Sequence, residues 1–242
     1  MSQWHFDDLS VDDTYIVSFP RSGNTWLRCM LTAVRHGTVS PALVTATVPD
    51  IHRSDPAVRP QSGPIWVKSH LPAPPEQFPA RVVYLIRHGL DAMVSYHWYL
   101  QRRGRLAPGL TFDEWISRED VWPCPWEQHV AGWLDVLEDV DDDRALILRY
   151  EDLAARPAEH LATVCAFLGV DAGASGLAQA VRATSREALS EIEASEGRGS
   201  LNHVRPSLSH NGDGGPGSTA FLAAAAPVLI RAGYCDRCAA YL

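Results

Sequence analysis

Two stretches of this chain carry residue types suited to chemistry on a charged substrate. The first is Pro20-Arg21-Ser22-Gly23-Asn24-Thr25, which ends an apolar run and precedes Trp26-Leu27-Arg28-Cys29-Met30. A tight turn feeding a helix N-terminus gathers free backbone N–H groups, and the helix dipole favours an anion there. Gly23 permits positive φ and close approach of a phosphate. Ser22, Asn24 and Thr25 add side-chain donors, and Arg21 adds a fixed charge. The second stretch is Lys68-Ser69-His70, which contains the only lysine in the chain. Residues two apart on a strand share a face, so Lys68 and His70 can reach one reacting centre. A histidine titrating near ~6.5 suits a general base for a hydroxyl. The lysine beside it can neutralise negative charge that develops during group transfer.

The elements that must position these groups follow from periodicity. Residues 15–17, 65–70, 81–87 and 144–150 are short apolar runs rich in β-branched residues and predict strands. Helices are expected from Trp26, from Asp91 as N-cap to about Gln101, behind the N-cap candidate Thr111, and over 125–136. Others run from Glu151-Asp152-Leu153 to a stop at Gly169, over 173–195 and over 218–231. Residues 37–64 have weak periodicity and read as loops with a short helix. Residues 196–217 form a Gly-, Ser- and His-rich loop, too long for a simple connector. Strands alternating with helices predict a single α/β domain over 1–242. It is a P-loop NTPase-like three-layer sandwich, with a central, mainly parallel sheet and helices on both faces. Ligands of such sheets sit at the carboxyl ends of strands, and the loops after Phe19, Val67, Ile86 and Leu148 lie there.

Composition narrows the partners. A net charge of −8 over 242 residues argues against broad nucleic-acid or anionic-membrane binding. The basic groups of the cradle are therefore local exceptions. Cys29, Cys124, Cys165, Cys235 and Cys238 are scattered and odd in number, which fits a reducing compartment. Cys235 and Cys238 form a lone CxxC without a second pair, so no metal site is expected. The acidic N-terminus is no signal peptide, and the longest apolar run, 220–230, is too short to span a bilayer. A cytoplasmic protein without membrane or nucleic-acid partner is the expectation.

Four stretches, SFPRSGNTW (18–26), VKSHLP (67–72), YLIRHGLDAMVSYHWY (84–99) and LRYEDL (148–153), stand in an order and spacing that resembles the soluble sulfotransferases. These enzymes use 3′-phosphoadenosine 5′-phosphosulfate (PAPS). The resemblance runs from about residue 14 to 232, and the set of stretches is far more specific than any one of them. It implies that Arg21, Ser22, Gly23, Asn24 and Thr25 hold the 5′-phosphosulfate and that Trp26 stacks on adenine. Arg87 and Ser95 would grip the 3′-phosphate; a guanidinium at a strand end and a hydroxyl on the next helix suit a dianion. Tyr150 and Thr184 would contact adenine, and Lys68 and His70 would act as catalytic cation and base, with Arg21 beside them. The implied reaction is in-line sulfuryl transfer to a small-molecule hydroxyl, releasing adenosine 3′,5′-bisphosphate (PAP) without a metal.

The chain also departs from the family pattern. Arg21 stands where a lysine is usual, Ser69 where a threonine is, and Arg186 where an adenine-packing phenylalanine is common. His210-Asn211-Gly212-Asp213-Gly214-Gly215 replaces an Arg-Lys-Gly-x-x-Gly clamp on the 3′-phosphate. The glycines can still present N–H groups, and Arg205 or Arg186 are candidates to supply the missing charge. Trp98 and Tyr99, placed near the acceptor pocket, and His129, a further candidate for the acceptor site, read on their own as core. Two rivals stand. A metabolite kinase would need a Gly-Lys-Ser/Thr loop, which is absent because Asn24 occupies the lysine position. A non-catalytic nucleotide-binding relative is favoured by the altered 210–215 loop and disfavoured by Lys68 and His70. The acceptor, whether phenol, alcohol, sugar or natural-product scaffold, is left open.

Overall fold

The apolar runs pair side by side in the computed structural model, which describes residues 9–52, 64–74, 80–196 and 215–234. Strands β1 (Thr14–Ser18), β2 (Trp66–Ser69), β3 (Arg81–Ile86) and β4 (Ala145–Arg149) form one all-parallel sheet. Their order is β2-β1-β3-β4. The chain leaves β1 toward β2 on one side and reaches β3 on the other. The carboxyl end of β1 is thus a topological switch point, where a crevice for ligands opens.

Alternation along β1 shows why both faces are covered. Tyr15 and Val17 enter one core, with Tyr84, Trp126, Trp133 and Phe221. Ile16 enters the other, with Val83, Leu27, Met30 and Leu161. The first core is closed by α3 (Gly89–Arg102), α4 (Phe112–Ile116), α5 (Trp126–Glu138) and α10 (Pro216–Arg231). The second is closed by α1 (Asn24–His36), α2 (Pro41–Thr47), α6 (Tyr150–Ala155), α7 (Pro157–Phe167), α8 (Ala174–Ala183) and α9 (Arg186–Glu196). The expected three layers are present.

Several boundaries differ from expectation. β2 ends at Ser69, because Ser69 Oγ accepts the N–H of Leu71 at 2.9 Å and turns the chain before Pro72. His70 is therefore off the strand, and strand alternation does not place it on the face of Lys68. α3 starts at Gly89, with His88 as its N-cap, and Asp91 lies in the first turn. There its carboxylate still favours the positive end of the helix. The helix expected up to Gly169 is two, because Pro157 lacks an N–H and holds Arg156 at φ −136°, ψ 64°. The pattern over 173–195 is likewise broken at Thr184 and Ser185, between α8 and α9. Thr111 caps α4 as expected, in a capping box with Glu114. Among the described residues, no helix is long and apolar enough to cross a membrane.

Candidate active site

The cradle begins where β1 stops. Ser22 N–H donates to Phe19 O at 3.3 Å, closing the turn. Arg21 (φ 70°) and Gly23 (φ 100°) both take the left-handed conformation, which arginine adopts at a cost of roughly 1–2 kcal/mol. α1 then starts at Asn24 with no side chain capping it, so its first N–H groups are left for a ligand. A side chain at position 23 is excluded twice over. Besides the strain, a Cβ there would lie 2.6 Å from the Tyr150 ring. Ser22 Oγ and Asn24 Oδ1 are buried without a hydrogen-bond partner among the described residues. Buried polar atoms of this kind are costly unless a ligand completes them. The Asn24 amide group, by contrast, is committed inward, donating to Ile16 O at 2.9 Å.

Arg21, Ser95 and Arg87 meet beside this turn from three different elements. Arg21 Nε donates to Ser95 Oγ at 3.3 Å, and its guanidinium lies 5.1 Å from the centre of the Tyr99 ring. Arg87, the first residue after β3, donates from Nη1 to Arg21 O at 3.0 Å and lies over Tyr150 at 4.9 Å. Tyr150 in turn meets Trp26 edge-on, 6.0 Å between centroids. Trp26 Nε1 donates to Thr184 O at 3.0 Å. The Thr184 hydroxyl is spent on its own helix, donating to Ala180 O at 2.8 Å. Trp26, Tyr150 and Thr184 thus form one wall, with the cations at its edge.

The second half of the site lies at the ends of β1 and β2. His70 Nδ1–H donates to Ser18 O at 2.6 Å. A carbonyl can only accept, so the neutral ring carries its proton on Nδ1 and keeps a lone pair on Nε2. Burial, followed by the nearby Lys68 ammonium, holds His70 well below the usual histidine range, only partly offset by the Ser18 carbonyl. Lys68 is buried and paired, its Nζ 2.9 Å from Asp50 Oδ2. Burial pushes the Asp50 carboxyl upward, but Lys68 and the His52 N–H outweigh it and hold Asp50 below its ordinary value. Beneath the turn, His129 Nδ1 lies 3.0 Å from the Tyr84 hydroxyl, and burial brings His129 down to about 4. Trp133 Nε1 donates to Leu71 O at 3.0 Å. The exposed Trp122 stands edge-on to both His52 and His70, at 5.2 and 6.1 Å.

A family model described as the sulfotransferase domain matches residues 11–211, a span holding both halves of this site. The chain belongs to the sulfotransferase family. A 3-alpha-hydroxysteroid sulfotransferase of Cavia porcellus is 32% identical over 65% of this chain and 59% of its own length. The sulfotransferase 2A2 of Mus musculus is 29% identical over 74% of this chain and 67% of its own. The chain thus spans about three fifths to two thirds of these relatives' length. Among solved structures, a mouse sulfotransferase in complex with PAP superposes with a TM-score of 0.61 at 24% identity, covering 76% of this chain and 68% of that one. A retinol dehydratase in complex with retinol and PAP gives 0.64 at 16% identity, covering 82% and 72%. The P-loop-like α/β fold is shared with both.

In this chain the structure gathers Arg21, Ser22, Gly23, Asn24, Thr25, Trp26, Arg87, Ser95, Tyr150 and Thr184 around one turn and its wall. Tyr99 packs against the first core, as its pattern suggests, and also touches the site through its contact with Arg21. His129 is fully buried beneath the first core's Tyr84, as its pattern suggests. Arg186 is exposed and opens α9 just after Thr184. His210, Asn211 and Gly212, with Arg205, Cys235 and Cys238, lie outside the described residues. Sequence reasoning missed Ser18, Asp50, His52 and Trp122. No local signal marked them: the Ser18 partner is a main-chain carbonyl, and Asp50 meets Lys68 only through long-range pairing.

Proposed function

We propose that the protein transfers the sulfuryl group of PAPS to a hydroxyl of a small molecule, in the cytoplasm. The observation that carries this reading is the bond from His70 Nδ1 to Ser18 O. Ser18 is the last residue of β1 and the cradle starts at the next one, so base and phosphate site share one strand end. The cradle N–H groups with Arg21 hold the 5′-phosphosulfate, Trp26 and Tyr150 flank the adenine, and Arg87 with Ser95 reads the 3′-phosphate. His70 Nε2 takes the proton of the acceptor hydroxyl as its oxygen attacks sulfur; the bond from sulfur to the bridging oxygen breaks and PAP leaves. Lys68 supplies positive charge next to the base, already shared with Asp50.

The kinase reading loses ground here, since the residue in the lysine position, Asn24, directs its amide into β1. The steroid hydroxyl named for the Cavia porcellus relative is one acceptor type to include in a screen. The test is incubation with PAPS and a panel of phenols, alkyl alcohols, steroids and sugars, read by mass spectrometry. Sulfated product with stoichiometric PAP is expected. Binding of PAP with no transfer to any panel member would favour the non-catalytic relative.

A further inference from the structure

The segment from Val48 to His52 belongs to none of the motifs above, yet it touches both members of the transfer pair. It is held in place at several points. Arg28, buried in α1, donates from Nε to Val48 O at 3.0 Å. Lys68 N–H donates to Pro49 O at 2.8 Å, and Ile51 N–H to Lys68 O at 3.1 Å, so the segment runs beside β2 as a parallel bridge centred on Asp50 and Lys68. Val48 and Ile51 anchor it by burial.

From this fixed backbone, two side chains reach the active site. One oxygen of Asp50, Oδ2, accepts from Lys68 Nζ at 2.9 Å; the other, Oδ1, accepts from His52 N–H at 3.0 Å. That second bond tightens the turn that carries His52. His52 Nε2 then accepts the main-chain N–H of His70 at 3.1 Å, and the two rings lie stacked, 6.0 Å apart and 15° from parallel. Because Nε2 accepts, the neutral His52 ring carries its proton on Nδ1. His70 is consequently fixed at two points: its ring by Ser18 O and its backbone by His52. It needs both, because it lies just past the end of β2 and no sheet ladder holds it.

We propose that Asp50 and His52 are positioning residues for the sulfuryl-transfer step, Asp50 for the Lys68 ammonium and His52 for the His70 ring. The proposal rests on the sulfotransferase reading of the site and adds residues that act only through others. A free lysine side chain spreads over many rotamers, whereas the ion pair gives Lys68 one place. A base displaced by an ångström from its proton loses much of its rate.

The experiment measures transfer from PAPS to 2-naphthol, with PAP affinity by calorimetry and melting temperature, in full-length variants. Asp50→Asn should lower kcat by about 10- to 100-fold while PAP affinity stays within about threefold. In a Lys68→Met background the same change should cost little or even restore rate, since Asp50 acts through Lys68. His52→Ala should lower kcat by about tenfold, and His52→Gln, which keeps an acceptor, should recover most of it. Equal costs of Asp50→Asn in both backgrounds, or no rescue by glutamine, would overturn the proposal. An activity-independent arm uses nitrogen NMR of the His70 ring, which should hold the Nδ1–H tautomer in wild type and His52→Gln but exchange between tautomers in His52→Ala. An unchanged His70 spectrum in His52→Ala would also overturn the His52 assignment. Absence of both PAP binding and transfer in wild type would instead sink the sulfotransferase reading, and the NMR arm would still decide on His52.

Discussion

The nucleotide side of the site, from Phe19 to Trp26, is one unbroken run, whereas the transfer side assembles Ser18, Asp50, His52, Lys68, His70 and Trp122 from separate stretches. The first offers mainly backbone groups to a ligand, with a turn strained at Arg21 and a helix start left uncapped. Such a site tolerates side-chain change, which is how Arg21 and Asn24 can stand where other residues are usual. The second works through side-chain atoms that hold one another in a chain of contacts across separate stretches. It should therefore be the more fragile half.

The largest expected effect tests that difference directly. His70→Ala should cut turnover by a factor on the order of 10² to 10⁴, while calorimetric affinity for PAP changes little. Near-normal turnover on a confirmed acceptor would show that the two halves are not divided as described. Next in size is Arg87→Ala, on the nucleotide side. Loss of a charge-assisted contact should weaken PAP by roughly 2–5 kcal/mol. The loss should be far smaller for adenosine 5′-phosphosulfate, which lacks the 3′-phosphate. Equal losses for the two ligands would remove Arg87 from that phosphate.

A third expectation concerns acid. Both His70 and His129 have folded values below the unfolded histidine value of ~6.5, because burial disfavours their charged forms. The unfolded chain then binds more protons, so stability falls as pH drops from ~6.5 toward the folded values. For His129, neutral down to about 4, the loss is on the order of 3 kcal/mol. Denaturant melts against pH should show this decline in wild type and a shallower one in His129→Gln. Parallel curves would mean that the ground beneath the transfer side is not what acid attacks. Activity carries the same sign: with His70 held neutral, the acid limb of kcat/KM should lie below pH ~6.5.

Legibility in the sequence followed the same division. The strand-turn-helix of Tyr15 to Met30 was readable because strand pattern, turn residues and helix pattern are contiguous. Arg87 was readable because it directly follows the most regular strand. The geometry of Lys68 and His70 was not, since period-two reasoning assumes that the strand continues, and Ser69 Oγ ends it by capturing the Leu71 N–H. Asp50 was invisible for a different reason. It lies in a stretch of weak periodicity, and its pairing with Lys68 depends on how that stretch lies along β2. The start of α3 was misplaced because Asp91 fits an N-cap by type. In the fold, His88 N–H is instead satisfied by Glu151 Oε1 at 3.1 Å, and the helix begins sooner.

The central claim is that one strand end carries both a site for a bisphosphate nucleotide and a base for sulfuryl transfer. Thermal shift with PAP and, in parallel, with ATP and magnesium tests its first half on the protein as it exists. The account predicts a clear rise in melting temperature with PAP, reduced in Arg87→Ala and retained in His70→Ala, and little response to ATP with magnesium. Stabilisation by ATP with magnesium but not by PAP would contradict it.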